Sequence, residues 1–314
     1  MSYKVLITED IDKEGKDYLK KFGYEIKIAE NIREETLIKE VKDCDAILVR
    51  MALITAKIME AGIKLKVISK FGVGVDNIDV KEATKRGIRV TNSPESNKNT
   101  VAEYTMGLII SLAKKLFLYD RELRKGNFNI RENLSMDLEG KVLGVIGAGS
   151  IGKLVATKAS KGFGMKVIEF KRNINELEES EYMEITDNLE YVLKHSDFIS
   201  LHVPLTEYTK NLIGEREFSL MRPEAFLINT ARGEVVNNNA LVEALLNNKI
   251  AGAAIDVYEG EVPSEDNPIF KLENVIVTPH TAAHTEEAMK RMSLHPAIGI
   301  QEVLSGKDVS WPVN

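Results

Sequence analysis

Residues 141–152 read Lys-Val-Leu-Gly-Val-Ile-Gly-Ala-Gly-Ser-Ile-Gly, an apolar run that passes directly into Gly147-x-Gly149-x-x-Gly152 and then into the helix-patterned stretch Lys153 to Lys161. Few folds accommodate such a segment. The first glycine allows a tight turn out of a strand, the second lets a bulky anion approach the backbone, and the third lets helix and strand pack closely. The helix start adds unpaired N–H groups and the positive end of its dipole. Glycines at this spacing can also be plain turn residues. The strand before them, the helix after them and a second strand-like run at 166–170 favour a βαβ unit whose turn takes the pyrophosphate of a dinucleotide.

The same rhythm runs along the whole chain. Strand-like runs at 4–8, 25–29, 46–50, 67–69 and 88–92 alternate with helical patterns such as 12–22 and 33–42. The alternation restarts at Lys141, with strands at 142–146, 166–170, 198–202, 225–230, 253–257 and 275–279. Strands separated by helical stretches of this length imply crossover units and parallel sheets. With 314 residues the chain is long enough for two such domains. One long helical pattern over 99–125 connects the two series, and another closes the chain from Thr285 to Leu304. The expected organisation is α/β: residues 1–98 with 287–314 in one doubly wound domain, 99–286 in the other. Crossing twice between domains leaves a cleft, the usual place for a ligand.

Charge and cysteine content narrow the partners. The net charge of −6 offers no clustered positive field for nucleic acid or an anionic membrane. No apolar run approaches the roughly 20 residues of a spanning helix, and Met1-Ser2-Tyr3-Lys4-Val5 has no signal-peptide pattern. The single cysteine, Cys44, excludes an internal disulfide framework and fits a reducing, cytoplasmic setting. The acidic run Glu176 to Glu181 reads as a solvated face.

Two further patterns carry chemistry. About 20 residues beyond the third glycine, an acidic residue ordinarily reads the ribose hydroxyls of NAD. Here Lys171 and Arg172 follow Glu169 and Phe170 instead, and two cations favour the 2′-phosphate of NADP, with NAD the alternative if Glu169 turns inward to the ribose. The second pattern is a set of polar groups after three strands: Arg232 in Ile228-Asn-Thr-Ala-Arg-Gly233, Glu261 in Asp256-Val-Tyr-Glu-Gly-Glu261, and His280 in Val275-Ile-Val-Thr-Pro-His280. Strand C-termini form the ligand-binding edge of an open parallel sheet. Each residue alone could be a surface ion pair, a loop charge or a helix cap, but together they make a proton-transfer and carboxylate-binding set.

At these residues the chain resembles the D-isomer-specific 2-hydroxyacid dehydrogenases over nearly its whole length. The matching pieces are Gly72-Val-Gly-Val-Asp-Asn-Ile-Asp79, Asn97 to Glu103, Leu138 to Gly152, Leu201-His-Val-Pro-Leu-Thr206 with Thr209, Asn229 to Gly233, Asp256 to Glu261, and Pro279-His280. The separations of 29 residues from Arg232 to Glu261 and 19 from Glu261 to His280 also fit the family's catalytic triad. The resemblance implies a flavodoxin-like substrate domain and a Rossmann cofactor domain. It implies hydride transfer between a nicotinamide dinucleotide and a small 2-oxo or D-2-hydroxy acid such as glyoxylate or hydroxypyruvate. His280 would give the proton, Glu261 would raise its pKa, and Arg232 would bind the substrate carboxylate.

The same resemblance assigns cofactor contacts to Thr100, Gly147, Gly149, Ser150, Ile151, Gly152, Lys171, Arg172, Val203, Pro204, Thr209, Thr230, Ala231 and Asp256, the last toward the nicotinamide carboxamide. It assigns substrate contacts to Arg50, Val73, Gly74 and Asn97. Ser150 stands where many members carry Arg, and Val262 separates Glu261 from Pro263 where Pro commonly follows at once. His284 follows His280 at half a metal-site spacing, without a third ligand, and no metal is expected. His195, His202 and His295 read as structural. Arg50 leaves open a short, NAD-using 3-phosphoglycerate dehydrogenase. Some relatives of this fold are dinucleotide-sensing corepressors, a reading that gives no reason for Arg232, Glu261 and His280 to occur together. A homodimer is implied, with Met106, Leu108 and Ile109 on the connecting helix as its candidate surface.

Overall fold

The computed structural model describes residues 2–172, 183–260 and 262–314. The chain divides into two compact units, Met1–Asn97 with His284–Asn314, and Lys98–Ala283. In the first unit β1 (Lys4–Ile7), β2 (Glu25–Ile28), β3 (Ala46–Val49), β4 (Val67–Lys70) and β5 (Arg89–Thr91) alternate with α1 (Lys13–Lys21), α2 (Glu34–Glu40), α3 (Ala56–Ala61) and α4 (Val80–Lys85). The sheet is parallel, in the order β2-β1-β3-β4-β5, so the winding reverses between β1 and β3. Composition follows position. Ala-Ile-Leu-Val of β3 is wholly buried in the middle of the sheet, whereas Glu-Ile-Lys-Ile of β2 lies at its edge with both ends exposed. Asp12 and Asp79 cap α1 and α4 by accepting from the amides of Glu14 and Glu82.

The second unit begins with α5 (Lys98–Ala113) and α6 (Leu116–Arg124). Its sheet comprises β6 (Val142–Ile146), β7 (Lys166–Phe170), β8 (Met183–Thr186), β9 (Phe198–Leu201), β10 (Phe226–Asn229), β11 (Gly252–Ile255) and β12 (Val275–Val277). The helices α7 (Ser150–Phe163), α8 (Leu189–His195), α9 (Glu215–Leu220) and α10 (Asn238–Leu246) connect them. The order β12-β11-β10-β9-β6-β7-β8, parallel throughout, reverses between β6 and β9. Side-chain alternation gives the sheet two cores. Leu143, Val145, Phe198, Phe226 and Ile228 pack with α5 and α7 on one face. Ile146, Ile199, Leu201, Leu227 and Ile255 pack with α8, α9 and α10 on the other. The closing helix α11 (Glu286–Leu304) belongs to the first unit and lies against α1, where the Gly15 amide donates to Ser293 Oγ at 2.9 Å.

Three features differ from the expectation. The connector is two helices, broken where Lys115 takes a left-handed φ of 52° at the N-cap of α6. The sheet carries an edge strand, β8, that the sequence pattern did not mark. Met106, Leu108 and Ile109 are no docking surface: they are buried in the unit's own core, and the exposed apolar side chains follow the break, at Leu116, Phe117, Leu123, Phe128 and Leu134.

Candidate active site

The glycine turn lies between β6 and α7. Gly147 has φ +108°, a region costly for any residue with a Cβ, and behind it lies the carbonyl of His202. A Cβ at Gly152 would come within 2.1 Å of the Gly147 carbonyl, so helix and turn touch through backbone alone. At Gly149, by contrast, a Cβ would meet nothing within 4 Å. Gly149 is the N-cap of the 14-residue α7 and supplies no side-chain cap; Ser150 and Ile151 form the first turn. Open space in front of a helix start, where the first N–H groups have no partner within the helix, is what a pyrophosphate requires, so these residues fit a dinucleotide.

Beyond the turn, Glu169 is buried at the end of β7 while Lys171 and Arg172 are half-buried and exposed. The Arg172 guanidinium stacks 4.9 Å over the ring of Tyr208, in the loop after β9. That loop also contains Val203, Pro204 and Thr209. Thr209 Oγ1 accepts from the Thr206 amide at 2.8 Å and donates to the Pro204 carbonyl at 2.6 Å, which closes the loop on itself. Burial pushes His202 down to about 4, and its Nε2 pairs with Ser200 Oγ at 2.8 Å, as a structural histidine does.

The neighbouring strands β10, β11 and β12 deliver the remaining groups at one edge. After β10, the buried Asn229 side chain accepts from the Ala231 amide at 3.0 Å and donates to the Arg232 carbonyl at 2.9 Å, folding Thr230 to Arg232 into a fixed bend. Arg232 is half-buried, with one N–H on the Ala231 carbonyl at 2.7 Å. The backbone of Gly233 lies so close to Tyr258 and Glu259 that no side chain would fit between the two loops. Glu261, two residues further on, lies outside the described residues.

Asp256, at the end of β11, is fully buried and organises the turn that follows β12. Its Oδ1 accepts from Thr278 Oγ1 at 2.6 Å and from the Thr281 amide at 2.9 Å, and its Oδ2 from the Ala282 amide at 2.9 Å. Its backbone carbonyl takes the His280 amide at 2.8 Å. Held on both sides in this way, His280 adopts a left-handed φ of 54°, a conformation that costs an ordinary residue roughly 1–2 kcal/mol. Burial pushes the Tyr258 hydroxyl up to about 12, and it donates to the Thr278 carbonyl at 3.0 Å, bracing the same turn. The residue expected to face a nicotinamide amide is therefore first of all the anchor of the histidine turn.

On the first unit, Arg50 follows β3, where its guanidinium donates to the Asp10 carbonyl at 3.0 Å and lies 5.0 Å from the Phe71 ring centroid. The neighbouring Lys70 is buried and donates to Asn77 Oδ1 at 2.8 Å and to the Arg50 carbonyl. Val73 and Gly74 follow β4; the Val73 carbonyl accepts from Asn92 Nδ2 at 2.8 Å. Asn97 is buried, and its Oδ1 has no hydrogen-bond partner among the described residues. An orphaned buried acceptor needs a donor from elsewhere, which suits a ligand contact. Thr100 is buried in the first turn of α5. Among the described residues no three His, Cys, Asp or Glu gather as metal ligands, and no helix is long and apolar enough to cross a membrane. Sequence reasoning passed over Tyr104, Thr105, Thr278 and Thr281, whose bonds shape these loops; only the proximity of the last two to His280 could have drawn attention to them.

The family profile described as D-isomer specific 2-hydroxyacid dehydrogenase, NAD binding domain, matches residues 106–282. A glyoxylate reductase of Thermococcus litoralis is 42% identical over 308 residues, covering 93% of this chain and 91% of its own. A D-3-phosphoglycerate dehydrogenase of Methanocaldococcus jannaschii is 41% identical over 99% of this chain, which spans only 59% of that protein's length. Among solved structures, an NADPH-dependent glyoxylate/hydroxypyruvate reductase of Sinorhizobium meliloti in complex with NADP and malonate superposes with a TM-score of 0.89 at 28% identity, covering 100% of this chain and 97% of its own.

Proposed function

The chain belongs to the D-isomer-specific 2-hydroxyacid dehydrogenase family, and from that premise we propose that it reduces a small 2-oxo acid such as glyoxylate or hydroxypyruvate to the D-2-hydroxy acid, with NADPH preferred over NADH. The observation that carries the proposal is the shared edge: Arg232 follows β10 and His280 follows β12, the two strands that flank β11 in the parallel sheet whose β6 ends in the open glycine turn. A bound nicotinamide supplies the hydride for the carbonyl carbon. Arg232 holds the substrate carboxylate and polarises the carbonyl through its planar fork. His280, as imidazolium, gives its proton to the carbonyl oxygen, so hydride and proton together make the hydroxyl group. Glu261 is assigned to the charged imidazole. On the cofactor side Thr100, Gly147 to Gly152, Val203, Pro204, Thr209, Thr230 and Ala231 line the dinucleotide, with Lys171 and Arg172 toward a 2′-phosphate. Substrate contacts at Arg50, Val73, Gly74 and Asn97 belong to the same proposal.

A second reading, 3-phosphoglycerate dehydrogenase activity with NAD, is favoured by the Methanocaldococcus relative and by a fixed guanidinium at Arg50 that suits a phosphate. Initial rates with glyoxylate, hydroxypyruvate, pyruvate and phosphohydroxypyruvate, each with NADPH and NADH, separate the two. The proposal expects the highest kcat/KM for an unphosphorylated oxo acid with NADPH. A preference for phosphohydroxypyruvate with NADH selects the second reading, and cofactor binding without turnover of any oxo acid selects a dinucleotide-sensing role. We further place a homodimer contact on the exposed apolar side chains Leu116, Phe117, Leu123, Phe128 and Leu134, and a cytoplasmic setting fits the one buried thiol.

A further inference from the structure

Two adjacent residues of α5 reach two different loops of the site. The Tyr104 hydroxyl lies 3.1 Å from Thr281 Oγ1, next to His280, and Thr105 Oγ1 lies 3.1 Å from Thr230 Oγ1, two residues before Arg232. Successive residues on a helix point about 100° apart, so one rigid rod can tie two loops at once. The direction of one bond is fixed. Thr105 is wholly buried and gives its hydroxyl proton to the Val101 carbonyl at 2.8 Å, so toward Thr230 it accepts. The loops are already pinned from the sheet side: Asp256 takes the Thr281 amide and Asn229 folds the bend before Arg232. The α5 hydroxyls pin them from the helix side, and the helix itself packs on β10, β11 and α7.

We propose that Tyr104 and Thr105 are positioning residues that set the spacing between His280 and Arg232, a role resting on the catalytic reading above. Neither touches the reacting atoms. The histidine turn is the more sensitive end, because its left-handed backbone at residue 280 is a conformation that relaxes once a tether is removed. The tether should act on the chemical step and leave the glycine turn, at the far side of the unit's β9 and β10, as it is.

The experiment compares wild type with Tyr104→Phe, Thr281→Val, their double variant and Thr281→Ser, measuring kcat, KM for the oxo acid, the dissociation constant for NADPH by fluorescence quenching, and thermal midpoint. Phe keeps the ring packing, so folding is spared. The expected result is a roughly tenfold fall in kcat for each single variant, since misplacing a catalytic group by a fraction of an ångström is costly. KM, cofactor affinity and melting should be unchanged, the double variant should be no worse than either single one, and Thr281→Ser should restore the rate. Thr105→Val should act through Arg232 and raise KM. Wild-type kcat in Tyr104→Phe, additive losses, or a loss that tracks cofactor affinity or melting overturns the inference while leaving the catalytic reading intact. Wild type inactive on every oxo acid overturns both.

Discussion

Replacing Asp256 by Asn tests the histidine turn at its anchor. The carboxylate accepts three donors, Thr278 Oγ1 at 2.6 Å and the Thr281 and Ala282 amides at 2.9 Å, in a fully buried position. An amide side chain has one acceptor oxygen, so whichever way it is turned its NH2 faces at least one backbone N–H. Leaving one buried amide without an acceptor costs about 1–3 kcal/mol, and loss of charge assistance on the other bonds adds roughly 1 kcal/mol. A total near 3 kcal/mol should lower the melting transition of the second unit by on the order of 10 °C. The consequence for turnover is larger. Without the anchor His280 is free to leave its left-handed backbone, and a shift of about 1 Å in a proton donor is worth a hundredfold in rate. Differential scanning fluorimetry together with NADPH oxidation at saturating hydroxypyruvate reads both effects. An Asn variant that melts and turns over like wild type would show that the three bonds do not hold the turn.

Lys171→Asp combined with Arg172→Ala should move cofactor preference from NADPH toward NADH; each charge-assisted contact is worth about 1.5 kcal/mol, or roughly a hundredfold for the pair, and a wild type that uses both cofactors equally well refutes the assignment. His202 titrates near 4 in the folded chain against 6.5 unfolded, so below 6.5 the unfolded state binds more protons and stability falls as the pH drops from 6.5 to 4. His202→Gln should flatten that part of a stability-against-pH curve, and an unchanged curve contradicts the burial. Leu123→Glu with Phe128→Glu should convert a dimer to a monomer by light scattering, and a monomeric wild type rejects that surface.

The parts of this architecture that were legible in the sequence are those whose residue type has one physical reason. Gly147, Gly149 and Gly152 answer to a positive φ, an open approach and a backbone contact, and the strand-helix rhythm around them fixes a parallel sheet. The positions of Arg232 and His280 just beyond β10 and β12 were legible from the strand pattern, and their chemistry remains a proposal. The break at Lys115 was not: Ala113-Lys114-Lys115-Leu116 contains neither Gly nor Pro, and nothing local announces a left-handed lysine. Met106, Leu108 and Ile109 turn into the unit's own core, while Glu103 and Gly107 together leave only a narrow exposed strip, so the apolar residues of this helix mark burial and not an outer face. The edge strand β8, Met-Glu-Ile-Thr, is too short and mixed to stand out. Tyr104 and Thr105 meet partners 177 and 125 residues away, a pairing that no spacing encodes.

The central claim is that His280 hands a proton to a 2-oxo acid at the edge shared with the glycine turn. Turnover of His280→Ala with NADPH and the best oxo acid, alongside titration of the same variant with NADPH, tests it most directly. A loss of at least about a hundredfold in kcat, the lower bound for a general acid, with unchanged cofactor affinity is the expected result. Turnover near wild type would contradict the claim.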